Sequence, residues 1–554
     1  MSRNPFNRVG KLKPRRNVFD LSYRKNFTCD MGQLIPVMCD EFVPGDYVKI
    51  GNQMVVRFQP LNAPIMHEIS AHVHYFFVPY RILWDEWENF ISQGQTDVEQ
   101  LPIRLPRFET TLRPNQGEEA LRRRALGTLW DFFGLPIGPI SQAQHPHLEP
   151  MDMPWRAYNR VWNEYYRDQD LQLEVNELQP HVLNRSWKKD YFTSARPFLQ
   201  KGQPPALPVN TDINGNVLFG DGTPSSHLET RYFGVGGQSA GANLQFNAYR
   251  AGSTFGRTVE MTVGRDNTGD GIWPGDGGRI GVPLNALTQQ SNLNIDAVST
   301  SFNVSDLRLA FRLQEWMERN ARAGTRYTEF LQSHFGVSPS DARLNRPEYI
   351  GGTKMPVIIS EVLQTSESNN TAQGTMTGHG LAADGQFAGS YNVQEYGIII
   401  GIMSVMPKPS YQDGINRQWL RYIPTDFYFP EFAHLSEQAI FAGELFMSFG
   451  RLDDHATFGY TGQYDEMRIK HDMVCSEMRK SWMRAGDPPD LSHWNLTRKF
   501  TSPPLLNTNF ITCVPRKDIF SVEDVPGLIV NCQNIIQAVR PLPLIAEPGL
   551  IDHF

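Results

Sequence analysis

Three histidines offer the first chemistry to test, because imidazoles at close spacing can hold a transition metal. His67, His72 and His74 lie within eight residues, and His67-Glu68 begins like the zinc-protease pattern, but the next histidine comes five residues on. The segment also alternates: Ile69, Ala71, Val73, Tyr75 and Phe77 share one face, with Ser70, His72, His74 and Phe76 on the other, so it reads as a strand and not a metal-binding helix. No carboxylate stands at ligand spacing, and the three are read as solvent or interface histidines. Gly237-Gln238-Ser239-Ala240-Gly241 has the form of a nucleophile elbow, yet it follows Phe233-Gly234-Val235-Gly236 where an apolar strand is needed, so it is taken as chance. Asp212, Asn214 and Asn216 open like a calcium loop, but Val217 replaces the required glycine and no glutamate fills the twelfth place. There is no phosphate-cradling glycine loop. The expectation is a chain without catalytic site, metal or cofactor.

Binding chemistry is better represented. Arg3, Arg8, Lys11, Lys13, Arg15, Arg16, Arg24 and Lys25 face Asp20 alone within the first 25 residues, a net +7 that leaves −14 for the rest of a chain of net −7. A basic arm on an acidic body implies an anionic partner met at one face. Nucleic-acid phosphates suit it, with Phe6, Phe19, Tyr23 and Phe27 to stack on unpaired bases, against the alternative of a solvated tail. Residues 1–28 show no period and are expected to have no fold of their own. A second set, Arg319, Arg322, Arg326, Tyr327, Arg343, Arg346 and Tyr349, mixes arginine with aromatic rings among Gly336, Pro339, Pro347, Gly351 and Gly352. These residue types enrich at protein interfaces, so the segment is expected to be a turn-rich loop meeting another subunit, or else a solvated loop.

The elements around these residues point to a mainly β protein. Runs at 33–42 and 47–58 flank Pro44-Gly45-Asp46 and read as a strand pair; 396–406 is nearly all apolar, as for a strand buried on both faces. Further strand candidates fall at 425–450, 456–475 and 508–540. Helices are expected at 82–93, 117–133 and 155–168, and from an N-cap at Ser305 to Gly324, with Leu309, Leu313, Trp316 and Met317 as one apolar stripe. Arg122-Arg123-Arg124 reads as an exposed helix face or a contact to DNA or another subunit. Between 211 and 281, 16 of 71 residues are glycine, marking an insertion in place of core strands, with Phe219, Tyr232, Phe233, Phe246, Phe255 and Trp273 enough for a small cluster. Five cysteines without a close pair, Cys29, Cys39, Cys475, Cys513 and Cys532, read as buried apolar residues. Neither a membrane span nor a secretory signal is apparent.

GQLIPVMCDEFVPGDYVKI (32–50), YFFVPYRILWDEWENF (75–90), the 305–352 block, EYGIIIGIMSVMPKPSYQDGI (395–415), FYFPEFAHLSEQAI (427–440), FGYTGQYDEMRIKHD (458–472) and GLIDHF (549–554) together resemble the major capsid protein of the Microviridae, small single-stranded DNA bacteriophages, and most of all their gokushovirus branch. The resemblance implies an eight-stranded antiparallel jelly roll with long insertions and a few helices: an arm at 1–28, a first part at 29–210, a protruding insertion at 211–300, and the remaining strands at 301–554. It implies a virion protein assembled in a bacterial cytoplasm through pentamers into a T=1 icosahedral capsid around a circular genome. Its partners would be itself, the single-stranded DNA, a scaffolding protein, a small basic DNA-binding protein, minor spike or pilot proteins, and a host cell-surface receptor. A jelly-roll carbohydrate-binding protein and a cupin-like metal oxidase are the alternatives.

Overall fold

A computed structural model describes residues 15–92, 103–108, 125–137, 149–205, 243–248, 257–262, 304–363, 376–433, 435, 437–479 and 491–545. The chain divides into two compact units, Met1–Gln203 with Trp316–Phe554, and Pro204–Glu315. Of the second, the described part contains one antiparallel hairpin, β6 (Asn243–Ala248) with β7 (Arg257–Thr262). The GxSxG string, Asp212, Asn214, Asn216, Arg122-Arg123-Arg124 and Arg3, Arg8, Lys11 and Lys13 lie outside the described residues.

The first unit is built on two antiparallel sheets. One holds β1 (Asn17–Asp20) and β2 (Tyr23–Cys29) along one edge of β16 (Leu528–Arg540), then β4 (Tyr47–Phe58), β10 (Met376–Asn392) and β9 (Ile358–Leu363). The other runs β3 (Ile35–Phe42), β11 (Gly397–Pro407), β5 (Ile69–Pro79), β8 (Glu348–Pro356). Sequence periodicity explains their mating. Along β16, Leu528, Val530, Cys532, Asn534, Ile536 and Ala538 are buried while the residues between them face out, and along β5 the five residues from Ile69 to Phe77 on the expected face are all buried. These two rows meet in one apolar core together with Val37, Met38, Ile50, Met54 and Val56. Among the buried amides at this core, Asn534 donates to the Val37 carbonyl at 2.9 Å and so ties sheet to sheet.

β11 is buried at every position, as its unbroken apolar run requires. Ile399, Met403 and Val405 enter the core between the sheets; Ile398, Ile400 and Ile402 enter a second core on the other side, under the helix Met153–Val161 and its continuation Trp162–Tyr166. A third cluster, around Tyr191, Phe192, Tyr411 and Phe510, gathers the long excursion that carries β12 (Ser410–Tyr411), β13 (Glu437–Phe441), β14 (Thr457–Gly462) and β15 (Asp472–Met473).

Several expectations are corrected. The turn at Pro44-Gly45-Asp46 does not join a strand pair: β3 and β4 sit in different sheets, and Gly45, at φ +94°, turns the chain across the core edge. Segment 82–93 is interrupted, giving helices Tyr80–Leu83 and Trp87–Ser92, and the 117–133 candidate is helical only at Leu129–Phe132 among the described residues. The stretch from 425 to 432 forms 3-10 turns instead of a strand. Cys475 is exposed, whereas Cys29, Cys513 and Cys532 are buried.

The supposedly unfolded arm enters the sheet at Asn17. Lys25 lies on the inward face of β2, where its ammonium donates to the carbonyls of Pro36 (2.7 Å) and Phe132, and burial pushes its pKa down to about 8. A depressed lysine pKa contributes stability that is present above the unfolded value of 10.5 and lost as pH falls through about 8. Relative to Lys25→Met, the wild-type chain therefore gains roughly 3 kcal/mol as pH rises across that window, at 1.36 kcal/mol per unit. Urea unfolding of the unassembled proteins between pH 7 and 10.5 measures it; a pH-independent difference would contradict the assignment.

Candidate functional site

The sandwich presents two outward faces, and the polar chemistry divides between them. On the six-stranded sheet, strand alternation turns Arg24, Lys49, Gln53, Arg57, Asn531, Gln533 and Gln537 outward. The register brings Arg24 and Gln53 to opposite sides of Gln533, and Lys49 opposite Gln537. Arg24 Nε donates to the Gln533 side chain at 3.3 Å. Arg15 and Arg16, both exposed, lead into β1 at the same sheet edge. Arginine, lysine and amide side chains on a flat strand surface can contact phosphates without reading sequence. Lys49 and Arg57 were not singled out in the sequence, because a lone cation at every fourth or eighth strand position makes no run; only the pairing with β2 and β16 gathers them. Lys25, by contrast, leaves this face for the interior.

The four-stranded sheet carries a cleft of about 790 Å³ on its outward face. β5 supplies its floor with Ser70, His72 and His74, β8 supplies Lys354 and Tyr349, and the segment 185–189 and Tyr165-Tyr166 form its walls. The three histidines are occupied by other partners than a metal: His67 Nε2 meets the Lys408 carbonyl at 2.6 Å, His72 Nε2 the Ser70 hydroxyl at 2.9 Å, and His74 Nδ1 the Tyr166 hydroxyl at 2.8 Å. Burial, then Arg185, His74, Lys354 and Lys188, push the His72 pKa down to about 3; burial and Arg185 bring His74 to about 4. Both imidazoles are neutral at pH 7.

Several cations here are matched within the chain. Lys189 pairs with Asp168 at 2.6 Å, Lys408 with Asp472 at 2.7 Å, and Arg346 with Asp341 at 2.6 Å. Lys188 and Lys354 have no ion-pair partner among the described residues, and Arg185 bonds the neutral Ser404 hydroxyl at 3.0 Å while lying over the Tyr166 ring. The cleft can therefore accept an anion beside an exposed tyrosine ring, Tyr349.

The arginine-aromatic block is less available than its composition suggests. Gly324, at φ +98°, ends the helix Val304–Ala323 as expected, but the helix already includes Ser305, and of the expected stripe only Met317 is buried, while Leu309, Leu313 and Trp316 are exposed. The expected loop instead begins with another helix, Tyr327–Phe335, closed by Gly336 at φ +67°. Arg322 Nε bonds Glu437 at 2.8 Å, Arg326 donates to the Arg167 carbonyl at 2.8 Å, and Arg346 takes Asp341. These three tie the helices to the rest of the first unit. Arg319, Tyr327, Arg343 and Tyr349 remain exposed.

The cleft's electrostatics can be tested directly. Removing the nearby cation by Arg185→Ala favours protonated His72, so its titration midpoint should move upward, as followed by NMR of histidine-labelled unassembled chain. A midpoint that does not move would mean that Arg185 does not act on the cleft floor.

The residue pattern agrees with relationships across the whole chain. Residues 8–550 match the family model described as capsid protein (F protein). The chain is 31% identical to capsid protein VP1 of Chlamydia phage 1, covering 99% of this chain and 98% of the relative. Capsid protein VP1 of Bdellovibrio phage phiMH2K is 28% identical over 100% and 99%, and that of Spiroplasma virus 4 is 27% identical over 94% and 93%. These are structural proteins and not enzymes, which accounts for a surface arranged for contact in place of a catalytic centre. On this match the chain belongs to the phage capsid (F protein) family and is a self-assembling component of the virion.

Proposed function

We propose that this chain is the major subunit of a T=1 icosahedral shell that packages a circular single-stranded DNA genome, built on a jelly roll of eight principal strands. The strand order supports the jelly-roll reading: β2-β16-β4-β10 faces β3-β11-β5-β8, so the chain changes sheet repeatedly and its local neighbours rarely pair. The observation that carries the genome contact is the outward face of the six-stranded sheet, where Arg24, Lys49 and Arg57 continue the basic sequence of the arm. That face turns to the genome, phosphates supply the binding energy, and specificity of sequence is neither needed nor provided.

Assembly proceeds in the host cytoplasm through pentamers, assisted by a scaffolding protein, with a small basic protein sharing the DNA and minor spike or pilot proteins completing the particle. The glycine-rich insertion at 211–281 projects from the shell and contributes to receptor binding at the host surface. Among the described residues no helix is long and apolar enough to cross a membrane.

Neutralising the basic arm separates packaging from folding. Replacing Arg8, Lys11, Lys13, Arg15 and Arg16 by glutamine should yield closed shells depleted of nuclease-protected DNA, visible as a lowered 260/280 nm absorbance ratio and slower sedimentation. A normal genome content would remove the arm from the packaging mechanism.

Exchanging 211–281 for a short linker should leave shell closure intact and reduce adsorption to host cells at least tenfold. Trimmed particles that adsorb normally would place receptor binding elsewhere.

A further inference from the structure

A short, dense run of exposed aromatic rings stands outside the arginine-aromatic block. It lies between β12 and β13, where Trp419, Tyr422, Phe427, Tyr428 and Phe429 fall within eleven residues and are each between 42% and 73% exposed. At about 200 Å² per aromatic side chain, these exposed fractions amount to roughly 570 Å². One side of a stable interface buries about 800 Å², so this short segment supplies most of what one contact requires.

The segment is held in shape before any partner arrives. Three 3-10 turns, Arg417–Trp419, Pro424–Asp426 and Pro430–Phe432, set its path, two of them fixed by proline. The Asp426 carboxylate accepts from the backbone of Tyr422 (2.8 Å) and Ile423 (3.0 Å). Arg421 lies 5.3 Å from the Phe427 ring centre and reaches buried Glu466 at 3.8 Å. The buried Tyr464 packs edge-on against Tyr428, and its hydroxyl donates to the Phe427 carbonyl at 3.3 Å. At the root, Arg417 is paired with buried Glu444 at 2.9 Å. Rigid rings presented on an ordered base lose little entropy on docking, which is the arrangement of interface anchors and not of a solvated loop.

We propose that residues 417–432 form a principal contact between copies of this chain in the assembled shell. The inference rests on the shell-forming function and adds to it the surface that does the work. Stoichiometry favours a second copy as the occupant. Every subunit carries the patch, so it is covered throughout the shell only by something present in equal number, and the chain itself always is. Closed symmetry then satisfies each copy once, leaving no apolar ridge to recruit further material.

Two measurements on particles and chain test this. Trp419→Ser with Tyr422→Ser changes side chains that are mostly in water, so the unassembled variant should unfold within a few degrees of wild type. Expressed with the same phage partners, it should give at least tenfold fewer closed particles by sedimentation. Wild-type particle yield from the variant would overturn the proposal, and so would normal particles that have lost only infectivity, since the ridge would then face a different partner. If wild type itself forms no shell, the failure belongs to the functional reading instead. A photo-crosslinking residue at Tyr422 in otherwise normal particles provides the second measurement: covalent dimers of this chain are expected, and adducts only to another protein, or none, would overturn it.

Discussion

The fold depends on a strand that has no solvent face. β11 is apolar throughout because one side closes the sandwich core and the other receives the helical layer. Gly401 shows how tight this is: a Cβ there would come within 2.7 Å of the Tyr75 ring, so the strand accepts its neighbour only where a side chain is missing. A second core stacked on the first fixes which part of the four-stranded sheet is covered and which remains open. The open part becomes the cleft over His72 and His74; the opposite sheet, whose outer side no described helix covers, becomes the basic face.

This double burial explains why local sequence reading succeeded in some places and failed in others. Alternation in Ile69–Phe77, the apolar run at 396–406 and the helix stop at Gly324 are properties of single segments, and a one-dimensional pattern contains them. The turn at Gly45 is also a local property, but its consequence is not. A glycine at positive φ specifies a reversal of direction without specifying whether the next strand pairs with the last or crosses to the other sheet. The core decides that, since β4 finds its partners in β16 and β10, several hundred residues away in sequence.

Charged residues were harder still, for a related reason. A cation's role depends on whether a carboxylate or carbonyl happens to lie opposite, and the sequence places those partners far apart: Arg322 with Glu437, Arg326 with the Arg167 carbonyl, Lys25 with the Phe132 carbonyl. The same distance hides the Arg24, Lys49 and Arg57 face, whose members are unremarkable until β2, β16 and β4 pair. Composition marks the arginine-rich block as a subunit contact or a solvated loop, and only the fold shows that Arg322, Arg326 and Arg346 each also bond within the chain. The aromatic ridge at 419–429 escaped notice for the opposite reason. Rings are read as core by default, and only exposure in the folded chain distinguishes a ring held outward from one buried.

A shell subunit must meet two demands that conflict in a free protein: attraction for its own copies and tolerance of a dense polyanion. Segregating them resolves the conflict. On the proposed reading, cations on the sheet face attract phosphate from beside the amides of Gln53, Gln533 and Gln537, although Ile529 and Leu381, both exposed, flank Arg57 there. The aromatic ridge stands on prolines and buried ion pairs with its cations, Arg417 and Arg421, already matched by Glu444 and Glu466, so it offers apolar area without attracting nucleic acid. On the proposed reading, the internal pairing of arginines is part of the specificity: each carboxylate that neutralises an arginine near the ridge withholds a phosphate site from it, and the genome is left to the sheet face, where Arg24, Lys49 and Arg57 have no ion-pair partner among the described residues.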